Sequence, residues 1–317
     1  MPTVGIFLSS EERSGPELVD LAARAEQAGF RKAWISDHFH PWVDAQGQSP
    51  FVWSVLGGIA ARTSQLEVAT AVTCPTVRIH PAIIAQAAAT VATLMPGRFA
   101  LGVGSGEALN EHVLGDRWPP AEIRLEMLEE AVEVIRALWS GEWVDHHGRH
   151  YTVENARLYS RPDDAPPIRV SGFGPKSVAV AARIGDGYVA TGAAGELVQL
   201  YRDRGGRGPA QSGMKVCWAE DEAEARRTAH RIWPNEVLPG ELAQVLPTPQ
   251  HFEQATELVT EDMVAEAVPC GPDPELHASK IQEAFDAGFD DVHVQQIGPD
   301  QEGFLRFYER AVLPEFA

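Results

Sequence analysis

The sequence predicts an α/β fold of the (β/α)8 TIM barrel type, and three observations support this fold class. Eight short runs of β-branched or apolar residues recur along the 317 residues, and helical periodicity follows most of them. The runs are almost entirely apolar, as expected for parallel strands of a sheet that is covered by helices. No Pro- or Ser-rich linker divides the chain. We therefore expect one barrel domain over residues 1–317.

The expected strands and helices alternate along the chain. The strands are TVGIFL from Thr3, AWIS from Ala33, EVATAV from Glu67, FALGVG from Phe99, IRVSGF from Ile168, GYVAT from Gly187, MKVCWA from Met214 and DVHVQQ from Asp291. The first helix lies in PELVDLAARAEQAGF, where apolar residues recur at helical spacing and stop at Gly29. RLEMLEEAVEVIRALW forms a longer amphipathic helix.

Two segments interrupt this alternation. GEWVDHHGRHYTVENARLYS has the pattern of a small β-hairpin or an extended excursion, and its HHGRH stretch is expected to be a solvated hairpin tip rather than a metal site. The Pro-interrupted segment at about 231–260 is too long for a routine loop. Long insertions in compact domains are typically lids or binding elements. We expect this insertion to belong to the same single domain.

Composition and charge exclude several classes of protein. Lys+Arg 26 against Asp+Glu 45 gives 26 − 45 = −19, which argues against a binder of nucleic acid or membrane surfaces. No run approaches the roughly 20 apolar residues of a membrane span. The start of the chain lacks the features of a signal peptide. Three cysteines without a CxxC pair indicate a reduced, cytoplasmic protein.

Polar, glycine-rich and aromatic residues follow the predicted strands. Barrels of this type carry their catalytic groups on the loops after the carboxyl ends of the strands. These positions hold Asp37, His38, His40, Trp42, Thr73–Thr76, Gly104–Glu111, Gly172–Pro175, Thr191, Gly192, Trp218 and Gln296. The sequence therefore predicts an active site for a small-molecule substrate at this end of the barrel.

Four motifs carry a family resemblance. SDHFHPW, QSPFVWSVLG, TCPT followed by HPAIIAQAAAT, and LGVGSGEALNEH occur in this order with barrel spacing. On these motifs the whole chain resembles the luciferase-like monooxygenase superfamily, and within it the coenzyme F420-dependent oxidoreductases of the glucose-6-phosphate dehydrogenase-like branch. The resemblance implies a barrel of the bacterial luciferase-like type with a deazaflavin in its mouth. It also implies hydride transfer between C5 of the deazaflavin and a sugar-like or other alcohol, or its carbonyl.

The resemblance further implies roles for individual residues. His38 is the expected base for the substrate hydroxyl, while Trp42 and Glu107 line the reaction centre and Glu107 protonates the reduced ring. A cis peptide is implied between Ala71 and Val72. No metal is expected. The implied cofactor-binding residues are Asp37, Ala71, Val72, Gly104, Ser105, Gly106, Asn110, Gly172, Phe173 and Gly174.

General chemistry supports these roles. Histidine titrates near neutrality, as a base for a hydroxyl proton must. Apolar neighbours such as Val103 and Ala108 are expected to raise the pKa of Glu107, so that it donates a proton. Gly104 and Gly106 let the backbone approach a flat ring or a phosphate without a clash from a Cβ atom.

The substrate is expected to differ from that of the named branch. The glucose-6-phosphate enzymes hold the sugar phosphate with two lysines and an arginine, and the aligned positions here are Ala194, the neighbourhood of Ala243, and Glu266. Without basic residues there, glucose 6-phosphate itself is disfavoured. A neutral sugar, another alcohol or the reverse reduction fits better.

The sequence leaves two alternative functions to weigh and also predicts an oligomeric state. The shared motifs also fit an FMN-dependent luciferase-like monooxygenase or reductase. A non-catalytic flavin-binding barrel is disfavoured, because His38 and Glu107 are both present. The small apolar residues of HPAIIAQAAATVATLM predict a homodimer, since relatives pair through early helices.

Overall fold

The computed structural model describes residues 2–316, and its centre is a closed barrel of eight parallel strands. In chain order the strands are β1 (Thr3–Leu8), β2 (Lys32–Ile35), β3 (Glu67–Thr70), β4 (Phe99–Val103), β5 (Val144–His147), β6 (Thr152–Ala156), β7 (Ile168–Ser171), β8 (Gly187–Thr191), β9 (Ala210–Val216) and β10 (Asp291–Gln296). β5 and β6 form a separate antiparallel pair, and β1 closes the barrel against β10. The predicted fold class is confirmed.

Helices follow the barrel strands and cover their outer face. They are α1 (Gly15–Gln27), α2 (Val52–Arg62), α3 (Pro81–Leu94), α4 (Ala108–Glu111), α5 (Ala121–Trp139), α6 (Pro175–Ile184), α7 (Gly195–Asp203), α8 (Glu222–Ile232), α9 (Leu242–Val245), α10 (Pro249–Ala255), α11 (Glu261–Ala267), α12 (Pro274–Asp286) and α13 (Gln301–Phe307). The start of α1 illustrates the local signals: the Glu17 carboxylate accepts a hydrogen bond from the backbone N–H of Ser14 at 2.8 Å. No helix in the described range is both long and apolar enough to cross a membrane.

All eight predicted barrel strands are present; β2 begins one residue earlier than expected, and β9 begins four residues earlier. β9 starts at Ala210 rather than Met214, because Gln211 and Ser212 join the ladder despite their polarity. Both side chains are buried. Gln211 Nε2 donates to Asp291 at 2.6 Å, and Ser212 Oγ donates to the carbonyl of Gly192 at 2.6 Å. The Ser212 hydroxyl and the Gln211 amide nitrogen are thus paired inside the barrel wall, whereas Gln211 Oε1 has no partner among residues 2–316.

The predicted hairpin is confirmed as β5 and β6, and it packs on α5. His146 Nε2 lies 3.1 Å from Glu130 Oε1, and the same carboxylate accepts from the backbone N–H groups of His150 and Tyr151. Within residues 2–316, no group of three or more His, Cys, Asp or Glu side chains is placed to hold a metal ion.

The segment at about 231–260 is a helical excursion between β9 and β10. It contains the end of α8, a 3-10 turn at Pro234–Val237, α9 and α10. Trp233 Nε1 donates to Glu12 Oε1 at 2.6 Å, which ties this segment to the loop after β1. Phe252 of α10 is buried against Trp42. The excursion therefore covers part of the end at which the strands finish.

Apolar side chains pack across the middle of the barrel. Trp34, Ala69, Ala100 and Val189 pack together, and Phe7, Ala71 and Val72 lie against them towards the carboxyl end. The Trp34 ring fits because residue 213 is glycine: a Cβ there would lie 2.8 Å from Trp34 Cζ3. Ligands must therefore bind at one end of the barrel or the other.

Candidate active site

The loop after β2 places Asp37 and His38 at the mouth of the barrel. Asp37 is buried, and its two carboxylate oxygens accept hydrogen bonds from Arg78 Nη2 at 2.9 Å and Thr73 Oγ1 at 2.8 Å. These contacts join the loops after β2 and β3. Asp37 thereby fixes the position of its neighbour His38.

His38 lies among hydrogen-bonding groups on both sides of its ring. Nε2 is 3.3 Å from Glu11 Oε1 and 3.9 Å from Glu107 Oε1. Nδ1 is 2.9 Å from Asn110 Nδ2 and 3.2 Å from the His40 carbonyl oxygen. An amide nitrogen donates and a carbonyl accepts, so Nδ1 has a partner in either neutral tautomer. Nε2 can therefore carry a proton or release it.

Asn110 bridges the loops after β2 and β4. Its Oδ1 accepts from the backbone N–H groups of Phe39 at 2.7 Å and His40 at 3.0 Å, which fixes Nδ2 as the donor. Nδ2 donates to Glu107 Oε1 at 2.5 Å. The residue is fully buried. Its observed contacts hold the site together, and its predicted contact with the coenzyme stays a prediction.

His40 has a structural contact. Its Nδ1 lies 3.0 Å from the carbonyl oxygen of Leu109, so an N–H at this position donates to the backbone of α4. This bond adds a second tie between the two loops. It agrees with the expectation that His38, rather than His40, is the reacting histidine.

Glu11 is the residue of this site that sequence reasoning missed. It is buried, and its Oε2 accepts from Ser36 Oγ at 2.7 Å and Ser9 Oγ at 2.9 Å. Burial raises the pKa of Glu11, but the charge of His38 and the serine hydrogen bonds outweigh it, so the net pKa is lowered. The carboxylate therefore stays ionised beside His38. Its position directly after β1, at the catalytic edge, was the available signal.

Two glutamates of the loop after β4 face different surroundings. Glu107 precedes α4 and is partly exposed at the mouth. Glu111 is buried one turn later, and its Oε2 accepts from the backbone N–H of Arg78 at 2.8 Å. Burial raises the pKa of Glu111 to about 7, against the opposing charge of Arg78. Glu111 is thus a carboxyl group with a raised pKa four residues after the predicted proton donor Glu107.

Trp42 forms an apolar wall beside His38. The two ring centroids are 4.9 Å apart, and on its other side Trp42 meets Phe252 at 5.2 Å in an edge-on contact. The same cluster includes Val43, Leu109, Leu238, Ala243 and Leu246. One side of the mouth is therefore apolar, and most of that side comes from the excursion at 231–260.

The floor of the mouth is also apolar. Phe7, Ala71 and Val72 are half-buried above the filled interior, and the peptide bond between Ala71 and Val72 is cis, as the resemblance implied. His38 and Glu107 follow β2 and β4, the two strands on either side of β3, so their polar groups lie at the same end of the barrel as Ala71 and Val72. Such an arrangement suits a flat, largely apolar ring with polar atoms along one side.

Glycines in and after β4 allow this floor to pack. A Cβ at Gly104 would lie 2.7 Å from Val72 Cγ2, and one at Gly106 would lie 2.5 Å from Cys74 Sγ. Gly106 also has a φ of +75°, which favours glycine. Ser105 between them is half-buried. The space that the two glycines leave is thus filled by the loop after β3.

The turn at 172–174 links β7 to α6 at the same end of the barrel. The Gly172 carbonyl accepts from Tyr188 Oη at 2.6 Å, and the N–H groups of Phe173 and Gly174 each donate to Ser177 Oγ at 3.1 Å. The Phe173 side chain is exposed. The turn therefore presents the N-terminus of α6 to the mouth, where a helix favours negative charge.

The comparisons with known proteins agree with this geometry. A family model described as luciferase-like monooxygenase matches residues 2–291. The chain is 35% identical over 324 residues to an F420-dependent glucose-6-phosphate dehydrogenase from Microbacterium testaceum, an alignment that covers 97% of this chain and 96% of the relative. It is 37% identical over 323 residues to an F420-dependent hydroxymycolic acid dehydrogenase from Mycobacterium tuberculosis, covering 98% and 88%.

Two solved structures superpose on this chain over nearly its whole length. An F420-dependent secondary alcohol dehydrogenase in complex with an F420-acetone adduct superposes with a TM-score of 0.91 at 30% identity, covering 98% of each chain. A coenzyme F420-dependent tetrahydromethanopterin reductase from Methanopyrus kandleri has a TM-score of 0.81 at 23% identity, which shows a shared fold.

Proposed function

Since the chain belongs to the luciferase-like monooxygenase family, we propose that it is a coenzyme F420-dependent dehydrogenase acting on an alcohol or its matching carbonyl. The observation that carries this proposal is the setting of His38: its Nε2 faces Glu11 and Glu107 at the mouth of the barrel. The relatives of similar length are F420-dependent dehydrogenases as well.

The residues at the mouth fit the coenzyme. The floor of Phe7, Ala71 and Val72 suits the face of a deazaflavin ring. The N-terminus of α6 after Gly174 suits a negatively charged tail. When bound, the coenzyme supplies the site that accepts or gives the hydride. We keep FMN as the alternative, to be separated by binding.

His38 handles the proton of the substrate hydroxyl in this proposal. When Nδ1–H donates to the His40 carbonyl, Nε2 is unprotonated and accepts the proton of an alcohol. The Glu11 carboxylate at 3.3 Å then stabilises the imidazolium. In the reverse direction the imidazolium, with Nδ1–H still donating to the His40 carbonyl, returns its Nε2 proton to the oxygen of the carbonyl substrate as that carbonyl is reduced. The same ring thus serves oxidation and reduction.

Glu107 is the proposed second proton carrier. Its Oε1 accepts from Asn110 and lies 3.9 Å from His38 Nε2, so its carboxyl group is fixed on the reacting side of the mouth. Trp42 excludes water from one side of the same space. The pair separates two tasks, with His38 serving the substrate hydroxyl and Glu107 serving the coenzyme.

The proposed substrate is uncharged. Ala194 lies at the N-cap position of α7, Ala243 packs in the apolar wall with Trp42, and Glu266 is exposed on α11. None supplies a cation to a phosphate. Three other basic residues could reach a phosphate from another direction. Lys176 is paired with Glu122 at 2.7 Å and Arg226 with Asp262, while Arg204 lies at the opposite end of α7 from Ala194. An alcohol with an apolar body, such as a small secondary alcohol, fits this mouth better than glucose 6-phosphate.

Binding and turnover test the proposal together. Fluorescence titration should give tighter binding of coenzyme F420 than of FMN. Steady-state assays should then show F420 reduction with 2-propanol and little with glucose 6-phosphate. Tighter binding of FMN would move the chain to the alternative. A KM for glucose 6-phosphate in the micromolar range, with turnover above about 1 s⁻¹, would refute the substrate assignment.

Three further properties belong to the proposal: the oligomeric state, the location and the domain organisation. The exposed Ile83 and Leu94 of α3 support a homodimer through this helix, and light scattering that gives only 34.5 kDa would contradict it.

Three free, buried cysteines support a reducing, cytoplasmic location. We also propose that residues 1–317 act as one barrel domain with an insertion at about 231–260.

A further inference from the structure

The end of the barrel opposite the active site contains a second cavity. It has a volume of about 190 Å³ and lies where the strands begin. The apolar layer around Trp34 and Phe7 separates it from the catalytic mouth. Its polar lining comes from Lys32, Trp34, Glu67, Arg98, Arg169, Gln211 and His293.

Four buried polar atoms of this lining lack a hydrogen-bond partner among residues 2–316. They are Trp34 Nε1, Arg169 Nε, Gln211 Oε1 and His293 Nδ1. The Trp34, Gln211 and His293 side chains are each at least 99% buried. Buried polar atoms in folded proteins are nearly always paired, so four unpaired atoms around one cavity indicate a bound polar group.

The two aromatic rings of the lining are held in place by the fold. Trp34 and His293 stack with centroids 4.2 Å apart and planes 7° from parallel. A Cβ at Gly5 would lie 2.5 Å from His293 Cδ2, and one at Gly213 would lie 2.8 Å from Trp34 Cζ3. Glycines at both positions therefore make room for the stacked rings, and Trp34 and His293 both line the cavity.

The chemistry of three unpaired atoms is fixed. Indole N–H and guanidinium Nε–H of Trp34 and Arg169 can only donate. Gln211 Nε2 donates to Asp291 Oδ2 at 2.6 Å, so the amide orientation is set and Oε1 is an acceptor. Asp291 Oδ1 in turn accepts from Lys32 Nζ at 2.7 Å. A guest must therefore offer at least two acceptor atoms and one donor.

The local charge favours an anion, although the whole chain is acidic. Asp291 is already neutralised by Lys32, whereas no carboxylate within residues 2–316 lies within 4.0 Å of the Arg169 guanidinium. The remaining carboxylate, Glu67, is exposed at the rim. Burial lowers the pKa of His293 to about 3, so this ring is neutral near pH 7. Arg169 is thus a buried cation without a carboxylate in direct contact, and the charges of Asp291 and Glu67 reach it only from a longer distance.

We propose that this cavity binds a small oxyanion that retains a proton, of the hydrogen phosphate class. Trp34 Nε1–H and Arg169 Nε–H donate to its bare oxygens, and its hydroxyl group donates to Gln211 Oε1. The volume of about 190 Å³ accepts the free ion with a few water molecules. This site is independent of the hydride chemistry at the other end.

The distinguishing experiment compares phosphate with sulfate. At pH 7 inorganic phosphate keeps an O–H group and sulfate has none, so only phosphate can satisfy Gln211 Oε1. The melting temperature of the full chain should rise in a saturable manner with phosphate at constant ionic strength. Sulfate should bind at least about tenfold more weakly. An equal response to both anions, or no response to phosphate, would overturn the proposal.

Matched variants locate the effect. Trp34→Phe keeps the ring and removes its N–H, and Arg169→Met removes the cation. Each should weaken phosphate binding about tenfold or more, as expected for loss of a charge-assisted bond. Trp53→Phe is the control, since Trp53 Nε1 is also buried and unpartnered but lies outside this cavity. Unchanged phosphate binding in both cavity variants, or a crystal structure grown with phosphate that contains only water in the cavity, would refute the site.

Discussion

At the scale of single residues, the chemistry depends on how the imidazole of His38 is held. Two carboxylates lie on the Nε2 side and an amide and a carbonyl lie on the Nδ1 side. The ring therefore keeps its position whichever nitrogen carries the proton. Fixed geometry of this kind is what general acid–base catalysis requires.

Replacing His38 tests its role directly. His38→Ala should lower kcat by roughly 10²–10⁴ and leave coenzyme binding nearly intact, because the ring acts on the substrate proton. His40→Ala is the control, since His40 contacts the backbone of Leu109 instead. Steady-state kinetics and fluorescence titration give both quantities. A His38→Ala protein with the kcat of the parent would remove the proposed mechanism.

Glu11→Gln should change the pH profile of alcohol oxidation. Glutamine can still accept from Ser36 and Ser9 but no longer stabilises the imidazolium of His38. The acidic limb of kcat/KM should move to lower pH, and kcat should fall about 10–100-fold. If the limb stays in place, Glu11 has only a structural role.

At the scale of elements, the excursion between β9 and β10 decides the shape of the mouth. It is anchored through Trp233 to Glu12 and through Phe252 to Trp42. Its short helices are interrupted by prolines, so few of its own hydrogen bonds hold it. Its packing on the barrel therefore supplies most of its stability.

Removing one anchor should loosen this wall. Phe252→Ala deletes a fully buried ring, at a cost of about 3–5 kcal/mol. We expect a raised KM for an apolar alcohol and faster proteolysis within 231–260. Leu258→Ala is the matched control, because Leu258 lies in the same segment and is 90% exposed. Equal behaviour of the two variants would show that Phe252 does not hold the wall.

The elements also show what the sequence can predict. Apolar runs identified all eight strands, and the end-of-strand rule brought His38, Trp42 and Glu107 to one mouth. The start of β9 was missed because Gln211 and Ser212 are polar and are buried through tertiary partners.

Glu11 was missed for a related reason. In SSEERSG it has the composition of a solvated turn, and only the distant Ser36 and His38 make it a buried group. Such pairings join positions that are far apart in sequence. Local pattern carries no information on them.

At the scale of the whole molecule, buried titratable groups set the response to acid. His277 is fully buried between Tyr308 Oη and the Gly271 carbonyl, each 3.0 Å away. Burial lowers the pKa of His277 from 6.5 to about 4. The folded protein thus binds fewer protons than the unfolded chain between these two values. The contribution of neutral His277 to the free energy of unfolding is therefore fully present above pH 6.5 and is lost as the pH falls towards 4.

The His277→Gln variant should lose this dependence. Between pH 6.5 and 4 the free energy of unfolding of the parent should drop by about 3 kcal/mol more than that of the variant. Contributions from other groups, such as His293 and Glu111, are common to both proteins and cancel. Urea unfolding across this pH range measures the difference. A constant gap between the two proteins would mean that His277 is already protonated in the folded state.

For enzyme engineering, the glycines of β4 and of the loop after it are positions at which amino-acid substitutions are not tolerated. A side chain at Gly102 would place its Cβ 1.8 Å from the Thr70 carbonyl, and Gly104 and Gly106 are almost as tightly confined. Libraries that vary these three positions would consist mostly of misfolded clones. Ala194 and Ala243 lie on α7 and in the apolar wall, where side chains can grow without displacing a strand. Directed evolution towards new alcohols should therefore begin there.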